Sequence, residues 1–332
     1  MKVYRNVPLK EFNTFGINAK ARRLVVVEDY DDLNLSPFSD RHASFIIGAG
    51  SDVIFTRDYE GMVIMLDAHS KVMVDGNKVR AWAGMRMDDL VQWSLANGLY
   101  GLENLSAIPG TVGAAAVQNV GAYGVEAKDF IVSVETVTLA TSQRHVYNNA
   151  QCRFGYRTSR FKEPHSEQEI IAWVTFALSD TFVPNLTYKA LEGLPHATAQ
   201  ELRDSIVTLR WQKLPRPEEH GSAGSFFKNP VVDEATYLRL RADHPDMPGA
   251  HPLTTYHLPL TTEYKLSAGW LIDKAGWKGR TMGRVGVWPN NALVLYNLGG
   301  CTGDEVVTLA QAIQEDVRRK FGVALEPEAI II

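Results

Sequence analysis

Apolar positions along this chain fall mostly in short runs that read as strands, and at 131–139 and 170–178 they alternate with polar ones at the strand period of two. Residues 21–27 and 43–47 read as strands, as do 61–66, 71–75, 78–83, 131–139, 170–178 and 292–295. Gly76-Asn77 joins the fourth and fifth of these runs. Three segments instead carry helical spacing. The first runs from Asp88, placed as an N-cap, to Asn97 before Gly98, with Leu90, Val91 and Leu95 on its apolar side. The second covers about 198–213, with Leu202, Ile206 and Leu209 on one face. The third covers about 304–321, where Val306, Leu309, Ala310, Ile313 and Val317 line up and Gly322 stops it. A short strand at 323–325 would then deliver Glu326-Pro327-Glu328.

Between these elements lie stretches whose residue types ask for chemistry. The strand ending at Ile47 runs into Gly48-Ala49-Gly50-Ser51-Asp52. A dinucleotide fingerprint needs a third glycine and then a helix. Here Val53-Ile54-Phe55 and further strand come next, so that reading fails. There remains a tight turn whose backbone N–H groups could hold a phosphate. The segment 107–124 has no charged side chain in eighteen residues but contains four glycines and a proline. Pro109, Gly110 and Gly113 argue against a regular helix. Small residues along a backbone-rich path suit a flat, largely apolar cofactor, with Gln118, Asn119 and Tyr123 as edge donors; a glycine-rich packing segment is the plainer alternative.

Arg157, in Cys152-Arg153-Phe154-Gly155-Tyr156-Arg157-Thr158-Ser159, could clamp a carboxylate with its planar fork or stand in solvent. In Gly221-Ser222-Ala223-Gly224-Ser225-Phe226-Phe227-Lys228-Asn229-Pro230, two adjacent phenylalanines sit beside polar and glycine positions. That suggests a rigid, anchored turn with Ser225 at the edge of a pocket, or an ordinary turn with a hydrophobic anchor. Beyond it Lys228, Lys265, Lys278 and Arg280 gather, and together they suit a pyrophosphate; each alone reads as a solvated flank.

Composition narrows the classes without choosing among them. At 332 residues the chain has room for about two domains of ~150 residues each. A net charge of −4 gives no sign of a nucleic-acid partner, so any anion site must come from local positive groups. Cys152 and Cys301 are the only cysteines, with no zinc spacing and no disulfide framework, which suits a reducing cytoplasm. No metal is expected. Neither a signal-peptide core nor an apolar run long enough for a membrane helix is present.

These segments, in this order, resemble the flavin-dependent UDP-N-acetylenolpyruvoylglucosamine reductases of bacterial peptidoglycan synthesis. The likeness runs from Asn13-Thr14-Phe15-Gly16-Ile17 to Leu325-Glu326-Pro327-Glu328. It is most specific at 108–124, at Arg153-Phe154-Gly155-Tyr156-Arg157 and at 223–230. The resemblance implies an α+β fold: a two-lobed FAD-binding domain of the vanillyl-alcohol-oxidase kind and a smaller α+β substrate domain. On that basis residues 1–66 form the first lobe, with 323–332 returning to it, 67–205 the second, and 206–322 the substrate domain.

By the same resemblance FAD would be held by Gly48, Ala49, Gly50, Ser51 and Asp52, and by Ile108, Pro109, Gly110, Thr111, Gly113, Ala114, Gln118, Asn119, Gly121, Ala122 and Tyr123. NADPH would reduce the flavin, which would pass hydride to the enolpyruvyl double bond of UDP-N-acetylglucosamine enolpyruvate. The family's catalytic serine, glutamate and arginine fall on Ser225, Glu328 and Arg157. Tyr188, within its Leu-Thr-Tyr segment, resembles the substrate-closing tyrosine loop of the longer type of these reductases. Lys213, Asn229, Tyr256, Lys265, Lys278 and Asn291 would hold nucleotide and sugar. A cytoplasmic monomer is implied.

Asp52 stands where the family usually has asparagine, and Asn291 where it commonly has glutamine. The chain also stops soon after Glu328, where relatives usually continue, so a trimmed last lobe is expected. Three other readings remain open: a serine hydrolase on Ser225, a flavin oxidase of the same fold acting on an alcohol or lactone, and a binding module without catalysis. The first lacks the Gly-x-Ser-x-Gly elbow, because Ala223 precedes Ser225 by two.

Overall fold

A computed structural model describes residues 1–34, 44–163, 169–253 and 263–332. The chain divides into two compact units that interleave in sequence. Unit one takes Met1–Leu9, Lys20–Gly50 and Asp58–Gln212, and unit two takes Lys10–Ala19, Ser51–Arg57 and Lys213–Ile332.

Unit one holds two large sheets among the described residues. In the first, strands lie in the order Lys2–Pro8, Lys20–Val27, Tyr59–Leu66, Ser44–Ile46. The first pair is antiparallel and the others are parallel. Tyr59–Leu66 is apolar almost throughout and buried along most of its length, as a central parallel strand must be when both faces are covered. Lys2–Pro8 is an edge strand, exposed at six of its seven positions, so it shows no period of burial. The second sheet is wholly antiparallel, in the order Arg144–Asn148, Ile131–Thr138, Glu169–Ala177, Lys78–Trp82, Val72–Asp75. Trp82 and Trp173 meet edge to face in its middle, with ring centroids 5.3 Å apart.

Helix α1 (Met87–Ala96) starts one residue before the expected cap, and its N-cap is Arg86. Asp88 lies inside the first turn because it has stronger partners elsewhere: Arg203 grips it through two N–H groups at 2.6 and 2.8 Å. The Ala107 N–H also donates to it at 2.6 Å. Helix α2 (Val112–Gln118) forms where the breakers argued against one. Pro109 and Gly110 precede it, and the Thr111 hydroxyl caps it by accepting from the Ala114 N–H. Gly113 sits within it because a Cβ there would come 2.9 Å from the Ala83 Cβ. Asn119 then closes the helix in the left-handed region, at φ 45°. Helix α3 (Ala199–Lys213) packs Leu202 and Ile206 against Leu191, with Tyr123, Leu186 and Leu209 around them.

Unit two is built on a sheet with strand order Ser222–Ser225, Val294–Asn297, Val285–Val287, Thr281–Met282. A three-stranded sheet (Val231–Asp233, Glu263–Lys265, His251–Leu253) and helices α4 (Glu234–Asp243), α5 (Ala268–Lys274) and α6 (Gly303–Phe321) complete it. The early Asn13-Thr14-Phe15 motif threads into this unit. Thr14 donates its hydroxyl to the Ser222 carbonyl at 2.7 Å, and the Asn297 amide donates to the Phe15 carbonyl at 2.9 Å. The expected strand at 323–325 is absent. The terminal pairing lies at Ile330–Ile331, which runs parallel to Val53–Ile54, another segment of unit two.

Candidate active site

Within unit one, the glycine turn and the uncharged segment form one wall. A Cβ on Gly48 would lie 2.9 Å from the Thr111 Oγ1 and 3.1 Å from the Ala114 Cβ, so the turn rests directly on the start of α2. Gly50 and Gly110 have φ values of 64° and 122°, conformations that a larger residue would adopt only under strain. After α2 the chain makes a two-strand ribbon, Gly121–Ala122 with Val125–Glu126. Asn119 is fully buried and binds protein with its whole amide. It donates to the Gly155 carbonyl (2.9 Å) and to Glu126 (3.1 Å), and it accepts from the Lys128 N–H (2.9 Å). Gln118 accepts from the Lys162 ammonium.

Arg157 stands beside this ribbon. Its Nη2 donates to the Gly121 carbonyl at 3.1 Å, and its guanidinium lies 5.3 Å from the Tyr156 ring centroid. The residue has φ 54°, a left-handed conformation unusual outside glycine. Strain of this kind persists where surrounding contacts over-determine the backbone, and it clusters at functional sites.

Within unit two, Ser222–Ser225 is a strand where the sequence suggested a turn. Its pairing with Val294–Asn297 slips between Ser222 and Ser225, and Gly224 lies at the slip with φ 65°. Such a bulge bends the strand and re-aims the next side chain. Half-buried Ser225 is that residue, and Phe226 and Phe227, both essentially inaccessible, anchor it. One edge of this segment binds the 291–294 turn, with the Phe226 N–H donating to the Leu293 carbonyl at 2.7 Å. The other edge binds the end of the chain. The Glu328 N–H donates to the Phe226 carbonyl at 2.8 Å, and the Lys228 N–H to the Glu326 carbonyl at 2.9 Å. Ser225 and half-buried Glu328 therefore lie on neighbouring extended segments.

Several other expected residues gather on the same framework. Asn229 accepts from the Ala268 N–H at 3.0 Å at the start of α5. Lys265 pairs in register with Val231, just after Pro230. Asn291 accepts from the Leu293 N–H at 3.1 Å, which shapes the turn beside Ser225. Lys278 is exposed and pairs with Asp273 at 3.4 Å. Lys213 ends α3 and opens the last segment of unit two. Tyr256 and His257 lie outside the described residues. Tyr188 belongs to unit one, edge-on to Tyr123 with centroids 5.2 Å apart.

Two residues near this tyrosine pair escaped the sequence reading. Asn104, only 1% exposed, joins Tyr123 to the Tyr188 loop. Arg210 hydrogen-bonds the Tyr123 side chain, and burial holds its guanidinium below the usual range. The same burial raises the Tyr123 phenol. No local signal marks Arg210, which reads as one more charged position on α3, and Tyr123 lies far from it in the chain.

Comparison with known proteins gives the geometry its context. Residues 216–332 match the C-terminal-domain model of UDP-N-acetylenolpyruvoylglucosamine reductase. Residues 39–146 match an FAD binding domain. The reductase of Burkholderia ambifaria strain MC40-6 is 43% identical over a 340-residue alignment covering 98% of this chain and 95% of that one. The chain belongs to the UDP-N-acetylenolpyruvoylglucosamine reductase family. The Burkholderia cenocepacia reductase, at 42% identity over the same shares of the two chains, agrees. The crystal structure of the family's Thermus caldophilus member covers 100% of this chain with a TM-score of 0.71 at 25% identity. This family is one of oxidoreductases, and the α+β architecture with an FAD-binding domain is the one expected from the sequence.

The residues present suit the flavin of this reductase family. The wall at 48–50 and 107–124 offers glycine, alanine and threonine with no carboxylate, and side chains at Gly48 or Gly113 would collide with the packed atoms behind it. Of the two histidines a hydrolase could use as a base, His257 lies outside the described residues. His220 packs edge-on against Trp288 and Tyr296, at 5.7 and 5.2 Å. Among the described residues no group of His, Cys, Asp and Glu could hold a metal ion, and no helix is long and apolar enough to cross a membrane.

Proposed function

We propose that this chain reduces the enolpyruvyl double bond of UDP-N-acetylglucosamine enolpyruvate, using NADPH, to give UDP-N-acetylmuramate. The reading is carried by one observation: the bulged strand that presents Ser225 is hydrogen-bonded along its other edge to the segment bearing Glu328. The 48–52 turn and the 108–123 wall would hold FAD, which when bound would supply the hydride.

The chain's own residues handle charge and proton. Reduction at the terminal carbon leaves enolate character next to the substrate carboxylate. Arg157 offers a planar fork for that carboxylate, and preorganised donors of this kind stabilise developing charge. Glu328, when protonated, donates to the same charge. The Ser225 hydroxyl then delivers a proton to the neighbouring carbon. Serine is a weak acid in water, so proton loss must be concerted with quenching of the carbanion. Lys213, Lys265, Lys278, Asn229 and Asn291 take the nucleotide and sugar, and Tyr188 closes over them. Asp52, whose carboxylate would repel a pyrophosphate, would contribute through its backbone N–H; its carbonyl is occupied by the Ile330 N–H at 2.9 Å.

Separating the half-reactions tests this. In Ser225→Ala, NADPH should bleach the flavin at the wild-type rate, while reoxidation by the enolpyruvyl nucleotide should slow by about 10²–10⁴-fold, the usual worth of a positioned proton donor. Reoxidation at the wild-type rate would remove Ser225 from the mechanism. A protein that takes up no FAD would sink the whole reading.

A further inference from the structure

Unit one contains a clamp between the ribbon at 121–126 and the loop bearing Tyr188. The Asn104 side chain is only 1% exposed, and its single amide nitrogen donates in two directions. One bond reaches the Tyr123 carbonyl at 2.7 Å and the other the Asn185 carbonyl at 2.9 Å, joining segments far apart in the chain. On the loop side, the Asn185 side chain organises the approach to Tyr188, accepting from the Thr187 N–H at 3.1 Å and from its hydroxyl at 2.7 Å. On the ribbon side, Tyr123 has φ 48° and Gly124 φ 91°, so the chain bends sharply where the amide holds it. Gly124 admits the loop: a Cβ there would fall 2.1 Å from the Thr187 Oγ1 and 3.4 Å from the Tyr188 nitrogen. Beyond the clamp, Leu191 anchors the loop against Leu202 and Ile206 of α3. Tyr188 stays 39% exposed, with its ring edge-on to Tyr123.

A buried amide that splits both its donors between two carbonyls of separate segments takes a donor from each when it is lost, and breaks the bridge between them. The loop would then lose the bond that sets its register on the ribbon, while its apolar anchor at Leu191 would remain. We propose that Asn104 is a positioning residue: it fixes where Tyr188 stands over the ribbon, and so sets how tightly the substrate is held. This rests on the reading of Tyr188 as a substrate-binding residue given above. Asn104 touches no reacting atom in this scheme and acts only through the loop.

The test is a double-mutant cycle between Asn104→Leu and Tyr188→Ala in the FAD-loaded enzyme. Asn104→Leu alone should raise KM for UDP-N-acetylglucosamine enolpyruvate about tenfold, leave flavin reduction by NADPH unchanged and change kcat little, as for groups coupled through one contact network. In the Tyr188→Ala background, the same change should raise KM no further. Additive losses would overturn the proposal, since an effect independent of Tyr188 is the mark of a merely structural residue. If Tyr188→Ala leaves KM unchanged while Asn104→Leu raises it, the substrate role of Tyr188 falls and the proposal with it. If Tyr188→Ala raises KM and Asn104→Leu does not, that role stands and the proposal alone falls. Hydrogen exchange of residues 185–192 without substrate supplies a readout apart from activity: protection should drop in Asn104→Leu, and unchanged protection counts against the clamp. Should Asn104→Leu fail to fold, Asn104→Ser keeps a small donor but cannot bridge, and the same cycle and exchange measurement apply to it.

Discussion

Asp88 illustrates how one side chain can serve two segments at once. It receives both arms of Arg203, which is itself only 9% exposed, and the N–H of Ala107, which opens the uncharged 107–124 segment. Burial alone would raise its pKa, but the Arg203 fork and the Ala107 N–H together hold it below the ordinary carboxylate value. The sign of its contribution comes from linkage. A carboxyl whose folded pKa is depressed adds stability above its unfolded value of ~3.9, and that stability is lost as pH falls through the folded value. Asp88→Asn should therefore lower unfolding free energy by about 1–3 kcal/mol near neutral pH, because Arg203 is left with a weaker partner. Urea titrations of both proteins from pH 7 down to about 2 would check it: the gap between them should narrow as acid protonates the wild-type carboxyl. A gap that stays constant would mean that Asp88 works by shape and not by charge.

At the scale of elements, α6 shows how local and tertiary signals combine. Thr302 and Glu305 form a reciprocal capping box, acidic residues occupy the first turn, basic ones the last, and Gly322 ends the helix at φ 71°. Gly303 is an exception to helix preference, where alanine normally gains about 1 kcal/mol over glycine. A Cβ at Gly303 would lie 2.1 Å from the Phe55 carbonyl oxygen and 2.6 Å from the Thr56 Cα. Gly303→Ala should thus destabilise the protein, by roughly 1–3 kcal/mol as overpacking does, despite the better propensity. A thermal melt that rises in this variant would show that the helix start can shift away. This helix was legible in the sequence because its stripe and caps are local. The strand Lys2–Pro8 was not, since an edge strand exposed on both faces leaves no alternation to read. Helix α2 was misjudged because Gly113 breaks helices in isolation but here meets the backbone at Ala83. The bulge at Gly224 reads as a turn in sequence, because a glycine with φ 65° serves either purpose and only the Ser225–Val294 pairing distinguishes them. Motif order pointed to Ser225, Glu328 and Arg157, whereas Asn104 was invisible, because its partners lie 19 and 81 positions away.

At the scale of the whole chain, sequence order and compact units diverge: Ser51–Arg57 leaves unit one for unit two between two strands of the first sheet, and Lys10–Ala19 does the same earlier. The residues expected to hold FAD fall almost entirely on unit one, with Ser51 and Asp52 as the exceptions. A ligand that binds only the folded state stabilises it by mass action, by about 2.7 kcal/mol when its free concentration is a hundredfold above Kd. Removing FAD should therefore lower the melting temperature, and restoring it should raise the midpoint with the logarithm of FAD concentration. The distribution of that gain is the sharper test. Hydrogen exchange with and without FAD should show new protection concentrated in residues 48–50 and 108–124, where glycine backbone forms the wall. The Ile330–Ile331 and Val53–Ile54 pairing, internal to unit two, should change far less. Protection that instead appears first in α5 and α6, with the wall unaffected, would place the flavin on different residues from those proposed.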